Sequence, residues 1–320
     1  MAKRRRVFIL GGGAALGAHH VGAMRYLEEQ GIQPDAIIGS SIGVINACLY
    51  ATGGVELMER GWGEFSSMRH IVDLSLRHNL LTTFSLFSQE KLARRIERYI
   101  DYRRIFENPV EAAFVLLNLS CGKGEIYSSR DAESPEELKK FARAGYAIPF
   151  MFPPVRIRGD WFVDGGFAWN IPLEHALRMG ATEIYVLTVI AHELPYQKRF
   201  RTIADYAGRF MDVMWRTLGN VGYFYTPIED GKIQGVPVTL IQPGEELSGL
   251  PMFDLFNVHP KKSRRLMDFG YRDAKRLLSR GRAGAKRIAA RAREEMAEQA
   301  GEDAPRPRRA SGRGRRRRGA

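Results

Sequence analysis

The pentad Gly39-Ser40-Ser41-Ile42-Gly43 constrains this chain more than any other stretch. It stands between an apolar run, Ala36-Ile37-Ile38, and a helix-forming one over residues 44 to 51, so it reads as strand, very tight turn and helix. A serine at such a turn is held in a strained backbone conformation with its hydroxyl exposed at the edge of a sheet. The glycines two positions either side, Gly39 and Gly43, let strand and helix close on each other. G-x-S-x-G is the spelling of a nucleophile elbow, and it sits here in the context that motif requires.

Upstream, Val7-Phe8-Ile9-Leu10 predicts a first strand running into Gly11-Gly12-Gly13-Ala14-Ala15-Leu16-Gly17. A helix follows from about residue 18 to 30 and is stopped by Gly31. Pro34 then leads into the second strand and the pentad. A right-handed β-α-β crossover leaves the two strands parallel and puts the Gly loop and the elbow on one sheet edge. Backbone N–H groups bared by the glycines then face the Ser41 hydroxyl: a nucleophile beside donors for an oxyanion. A dinucleotide fingerprint fails on spacing. Counted from Gly11 the sixth position is Leu16, from Gly12 the third is Ala14, and Asp35 precedes the second strand.

Length and charge set outer bounds. A chain of 320 residues, 44% hydrophobic, can bury a full core. Its net charge of +13 is largely terminal, because residues 281–320 carry 13 Lys/Arg against 5 Asp/Glu. That Arg-, Ala- and Gly-rich arm cannot build a core and is expected to be disordered. A flexible cationic arm suits an anionic membrane surface, and it is the only feature that argues for nucleic acid. Cys48 and Cys121 lie in apolar stretches and are expected as buried thiols in a reducing compartment. The apolar run after Arg6 is too short for a signal peptide, and no stretch approaches the roughly 18 apolar residues of a membrane span. The expectation is a cytoplasmic protein, peripheral on the inner face of the membrane.

Residues 62 to 87 read as an irregular apolar segment, either a cap on the core or a lid facing lipid. Beyond it, helices are expected over 89–100 and 135–144, and strands over 115–119 and 125–128. The prolines of residues 147–155 predict an extended, rigid path. Trp161-Phe162-Val163 predicts a strand ending in Asp164-Gly165-Gly166, which is a turn former (the commoner reading) or a positioned carboxylate. Pro172 opens a helix to residue 179, and residues 184–189 form a buried strand. Residues 196–225 place Tyr206, Phe210, Met211, Met214, Trp215 and Leu218 among arginines. Core packing is the default for such a stripe, and a surface for anionic lipid the sharper alternative. A last strand is expected over 238–241 and a closing helix over 260–278.

Three blocks in this order are more specific than any one. The Gly loop leads the helix Ala18-His19-His20-Val21-Gly22-Ala23-Met24-Arg25-Tyr26-Leu27, and the elbow follows. Later, Ala147-Ile148-Pro149 and Pro153-Pro154-Val155 run into Phe162-Val163-Asp164-Gly165-Gly166 and Asn170-Ile171-Pro172. Together they resemble the patatin-like phospholipase family over about residues 5–195. The resemblance implies an α/β fold, a three-layer α/β/α sandwich with a mainly parallel central sheet. It implies a Ser–Asp dyad rather than a triad, with Ser41 as nucleophile, Asp164 as base, and Gly12, Gly13 and Ala14 at the oxyanion hole. The implied activity is hydrolysis of acyl esters of membrane lipids, with no cofactor and no metal.

The expected organisation is a hydrolase domain over 1–280, with its motif-bearing core at about 5–195 and an extension over 196–280, and then the tail over 281–320. Two positions depart from the family. Ala14 replaces its third glycine, and Leu16 stands where it carries Arg or Lys. The missing cation leaves a weak or inactive lipid-binding protein as the alternative function, and restoring it with Leu16→Arg is expected to speed acylation.

Overall fold

A computed structural model describes residues 4–64, 85, 88–189, 199–203, 205–206, 209–210, 213, 230–244 and 259–279. The chain divides after Lys275, and the first unit, Met1–Lys275, holds every strand among the described residues. These are β1 (Arg6–Leu10), β2 (Ala36–Gly39), β3 (Glu111–Asn118), β4 (Lys123–Ser128), β5 (Val155–Ile157), β6 (Asp160–Asp164), β7 (Glu183–Leu187), β8 (Lys232–Ile233) and β9 (Val236–Ile241). The helices are α1 (Ala18–Glu29), α2 (Ile42–Glu64), α3 (Glu90–Ile96), α4 (Tyr102–Glu107), α5 (Pro135–Gly145) and α6 (Leu173–Arg178). A closing helix covers residues 260–279.

The sheet runs β5-β6-β3-β2-β1-β7-β9-β8, with β4 also on β3. Its centre, β3-β2-β1-β7-β9, is parallel. The remaining strands join antiparallel at its margins. Central parallel strands are covered on both faces, which is why Val7 to Leu10 and Ala36 to Ile38 are buried without alternation. On one face Val7, Ile9, Ile38 and Val115 pack with Leu173 and Ala176 of α6. On the other, α2 lies across β1, β2 and β3, and α1 and α5 pack beside it. The sandwich expected from the sequence is therefore present.

β4 occupies one edge of β3 along residues 113–118. The opposite edge is shared by two strands in succession: β2 pairs with residues 111–114, and β6, running the other way, with 116–118. The carboxyl ends of β2 and β6 therefore meet head to head. Gly39 lies opposite Phe114 and Asp164 opposite Leu116, two residues apart on the same strand.

Local chemistry explains most boundaries. Ser134 caps α5 by accepting from the Glu137 amide at 3.2 Å, with Pro135 opening the helix and Glu136 and Glu137 in its first turn. α2 extends well beyond the expected residues 44–51 because it is two helices joined at Gly53 and Gly54, and Gly54 has φ 68. Trp62 is thereby buried inside a helix rather than in an irregular cap. β3 starts at Glu111, earlier than expected, because Glu111 to Phe114 extend the parallel ladder with β2.

Two expectations are corrected. Cys121 is exposed, since it sits in the β3–β4 turn and not in the strand. The 147–155 path is not extended throughout, because the Met151 amide donates to the Ile148 carbonyl and closes a turn with Pro149 and Phe150 at its centre. Proline suits the first central position of such a turn. The second wants a positive φ, and Phe150 adopts φ 66 there with its side chain 82% exposed.

Most of residues 62–87 and of 196–225, and all of 281–320, lie outside the described residues. Where 199–213 is described, Phe200, Ile203, Tyr206, Phe210 and Val213 are all exposed, so these side chains are not core. No helix among the described residues is long and apolar enough to cross a membrane.

The closing helix returns over α1 at a contact that only glycine permits. A methyl group added at Gly22 would stand 1.7 Å from the Met267 carbonyl oxygen, and one at Gly270 would stand 1.9 Å from that of His19. Beside this crossing, His19 Nε2 lies 3.0 Å from Asp273 Oδ2, which also accepts from the Gly244 amide. Gly22→Ala is therefore expected to cost about 1–3 kcal/mol or more in chemical denaturation. Gly63→Ala, where an added methyl meets nothing within 4 Å, should change stability by less than about 1 kcal/mol.

Candidate active site

Ser41 follows β2 with φ 54, the left-handed region that costs a non-glycine residue about 1–2 kcal/mol. Close packing on both sides holds it there. A methyl group at Gly39 would stand 2.5 Å from the Gly43 carbonyl carbon, and one at Gly43 would stand 2.0 Å from the Leu10 carbonyl oxygen. Neither position has room for a side chain. The strain lifts Ser41 to the N-terminus of α2, whose first turn carries no acidic residue. The positive end of that helix therefore faces the serine without a competing anion.

Asp164 arrives from the opposite direction at the end of β6 and is fully buried. Its Oδ1 accepts from the Gly166 amide at 2.8 Å, so the residue is both turn former and positioned carboxylate, the two readings the sequence left open. Burial pushes its carboxyl up to about 7, against hydrogen bonding from the Ser41 hydroxyl and the Gly166 amide, which favours the charged form. Asp164 Oδ2 has no hydrogen-bond partner among the described residues. Serine and carboxylate are thus brought together at the head-to-head junction of β2 and β6.

The Gly loop forms the third wall. A methyl group at Gly12 would stand 2.9 Å from Ser41 Cβ, so the loop backbone lies directly against the serine. Gly13 has φ 155 and Ala14 φ 47, both in the glycine-favouring region, and Ala14 accepts the strain that the family's glycine avoids. The Gly12 amide donates to Asn170 Oδ1. The amides of Gly13 and Ala14 donate to no partner among the described residues. Of the three expected oxyanion donors, two are therefore unengaged and Gly12 is already committed.

Leu16 is 5% exposed in the apolar interior. A buried arginine is costly unless paired, so the expected gain in acylation from Leu16→Arg requires the guanidinium to find a partner or reach solvent. The histidines of α1 are also accounted for. His20 is fully buried, and burial followed by its neighbour His19 lowers its pKa to about 3, so it stays neutral. Its Nδ1 receives Asn46 Nδ2, which also donates to the Gly17 carbonyl at 2.9 Å, while Asn46 Oδ1 accepts from Trp62 Nε1.

Sequence reasoning assigned no role to Asn46, Ser40 or Asn170. Their signal was available as polar residues embedded in apolar motif segments. What each of them bonds is set by tertiary contact.

Fold and site together define an α/β sandwich that carries a serine elbow, an abutting buried carboxylate and a glycine loop on one edge of its sheet. The chain belongs to the patatin-like phospholipase family, whose profile matches residues 8–177. It is 30% identical over 187 residues to lysophospholipase nte1 of Aspergillus fumigatus, covering 57% of this chain and 12% of that protein. It is 28% identical over 227 residues to the patatin-like phospholipase domain-containing protein ZK370.4 of Caenorhabditis elegans, covering 68% of this chain and 15% of that one. The chain thus spans less than a sixth of the length of these relatives. VipD from Legionella pneumophila shares the fold, with a TM-score of 0.51 at 14% identity over 87% of this chain and 67% of that one.

The raised carboxyl has a consequence for stability. Its folded-state value lies above the ordinary carboxylate value of 3.8, so between those two values the folded protein holds a proton that the unfolded chain releases. The associated stability is fully present below the ordinary value and is lost as pH rises through about 7. Asp164→Asn should therefore be more stable than the parent at pH 8 by up to about 4 kcal/mol, with the difference vanishing near pH 4. Denaturant melts of both proteins across that range check this.

Proposed function

We propose that this protein is a serine lipid acyl hydrolase that cleaves acyl esters of membrane lipids through Ser41 and Asp164. The observation that carries the reading is the buried Asp164 carboxyl, raised to about 7 and placed against a serine at a helix N-terminus. An ordinary carboxylate is a poor base for a hydroxyl. One whose pKa lies near neutrality takes the serine proton and can still return it to a leaving alcohol.

Ser41 Oγ attacks the ester carbonyl as its proton passes to Asp164. The negative charge on the carbonyl oxygen is met by the Gly13 and Ala14 amides and by the N-terminus of α2. As the tetrahedral species collapses, Asp164 delivers the proton to the departing alcohol and leaves an acyl-enzyme. Water then attacks that ester with Asp164 again as base, and the carboxylic acid product departs. The names of the related proteins, lysophospholipase nte1 and ZK370.4, support a lipid ester as substrate. The exposed Phe200, Ile203, Tyr206 and Phe210, set among Arg199, Arg201 and Arg209, support work at an anionic lipid surface. The lipid-binding alternative rests on Leu16, which leaves the loop without the family's cation, and turnover of a p-nitrophenyl ester decides between the two readings.

Ser41→Ala should abolish both fluorophosphonate labelling and turnover of a p-nitrophenyl ester, and Asp164→Asn should lower turnover about 10³-fold or more. The parent's kcat/KM should rise with pH through about 7, because the deprotonated carboxylate is the active form. A flat profile from pH 5 to 9, or a single His→Ala change as damaging as Asp164→Asn in a folded protein, would replace the dyad with another base.

A further inference from the structure

The segment following Asp164 is stitched to both other walls of the site. Ser40 Oγ, next to the nucleophile, donates to the Trp169 carbonyl at 2.9 Å. One residue on, Asn170 Oδ1 accepts the Gly12 amide across a separation of 158 positions. Asn170 is 3% exposed, and Ser40 is fully buried. The carboxamide also stands near every part of the machinery. Methyl groups added at Gly11, Gly12 and Gly166 would lie 3.7, 3.0 and 4.0 Å from its oxygen.

An amide hydrogen given to Asn170 cannot also be given to a substrate oxyanion. Turning the Gly12 N–H away removes that donor from the site and anchors the peptide from which the loop continues to Gly13 and Ala14. We infer that Asn170, supported by Ser40, is a positioning residue: its oxygen clamps the Gly12 peptide so that Gly13 and Ala14, not Gly12, face the oxyanion. A neutral acceptor suits this place. A carboxylate of the same shape would hold Gly12 equally well but would add a negative charge beside both Asp164 and the developing oxyanion.

This inference rests on Ser41 and Asp164 being nucleophile and base, so the experiment pairs a kinetic readout with one that needs no turnover. The full chain is compared with Asn170→Ala, Asn170→Asp and Ser41→Ala, by p-nitrophenyl butyrate kinetics and by hydrogen exchange of the peptide containing Gly12. Asn170→Ala should lose about 10- to 100-fold in kcat with KM within about twofold, and its Gly loop should exchange faster than the parent's. Asn170→Asp should restore exchange protection and shift the rising limb of the pH–rate profile upward, with kcat above that limb between those of Asn170→Ala and the parent.

Full kcat or an unchanged exchange rate in a folded Asn170→Ala protein overturns the inference. So does an equal loss in the Ala and Asp variants at every pH, because that marks a packing role. Hydrolysis surviving in Ser41→Ala sinks the proposed function, and the exchange comparison then still decides whether Asn170 holds the Gly12 peptide. Were Asn170→Ala too unstable to assay, restored exchange protection with the shifted pH limb in Asn170→Asp would uphold the inference, and the absence of either would refute it.

Discussion

Everything at the site depends on two strands sharing one edge of β3. β2 and β6 run in opposite directions along that edge, and their carboxyl ends abut with one residue of β3 between the paired positions. The gap is closed without a side chain, since a methyl group at Gly165 would stand 2.6 Å from the Leu116 nitrogen. The position of Asp164 relative to Ser41 is thus a matter of backbone hydrogen bonding, which is stiff, rather than of side-chain rotamers, which are soft. The dipole of α2, the desolvation of the carboxyl and the approach of the Gly loop all act on a geometry the sheet has already set. Helix and loop supply the electrostatics, and the ladder supplies the distance.

Much of this was legible from residue order. The Gly loop, the pentad and Asp164-Gly165-Gly166 named the walls of the site, because glycine at these points reports a close approach that no other residue tolerates. The parallel β1–β2 pairing followed from the β-α-β spacing. What stayed hidden was long-range and polar. Nothing in Asn170-Ile171-Pro172 says that the asparagine reaches back to residue 12, and nothing in Gly22 says that its partner is the backbone at Met267. The burial of Leu16 was equally hidden, because it depends on tertiary contact that a motif position does not report. Cys121 misled because strand and turn cannot be separated by hydrophobicity within three residues of a hairpin.

The polar groups buried near the site fall into two sets that do different work. Asn46, His20 and Trp62 form a hydrogen-bonded network where the Gly loop becomes α1. His20 Nε2 is left without a partner among the described residues, and His20 stays neutral. Asp164 differs in charge: fully buried, with one oxygen unpartnered and its proton poised near neutrality. The network adds rigidity. An open acceptor is a destabilising feature in a resting protein, of the kind that folds retain where chemistry uses it.

The order in which the chain leaves a ribosome gives the β2–β6 junction a further meaning. Asp164 follows Ser41 by 123 positions, and β7, the second neighbour of β1, comes later still. Pairings of such long separation form late and slowly. A nascent chain that has emerged only as far as α5 contains the residues of the serine turn and the Gly loop, but neither the strand that brings the carboxylate nor the asparagine that bonds the loop. Such a fragment has the serine turn with no carboxylate beside it. The topology thereby delays assembly of the site until most of the sheet has been made.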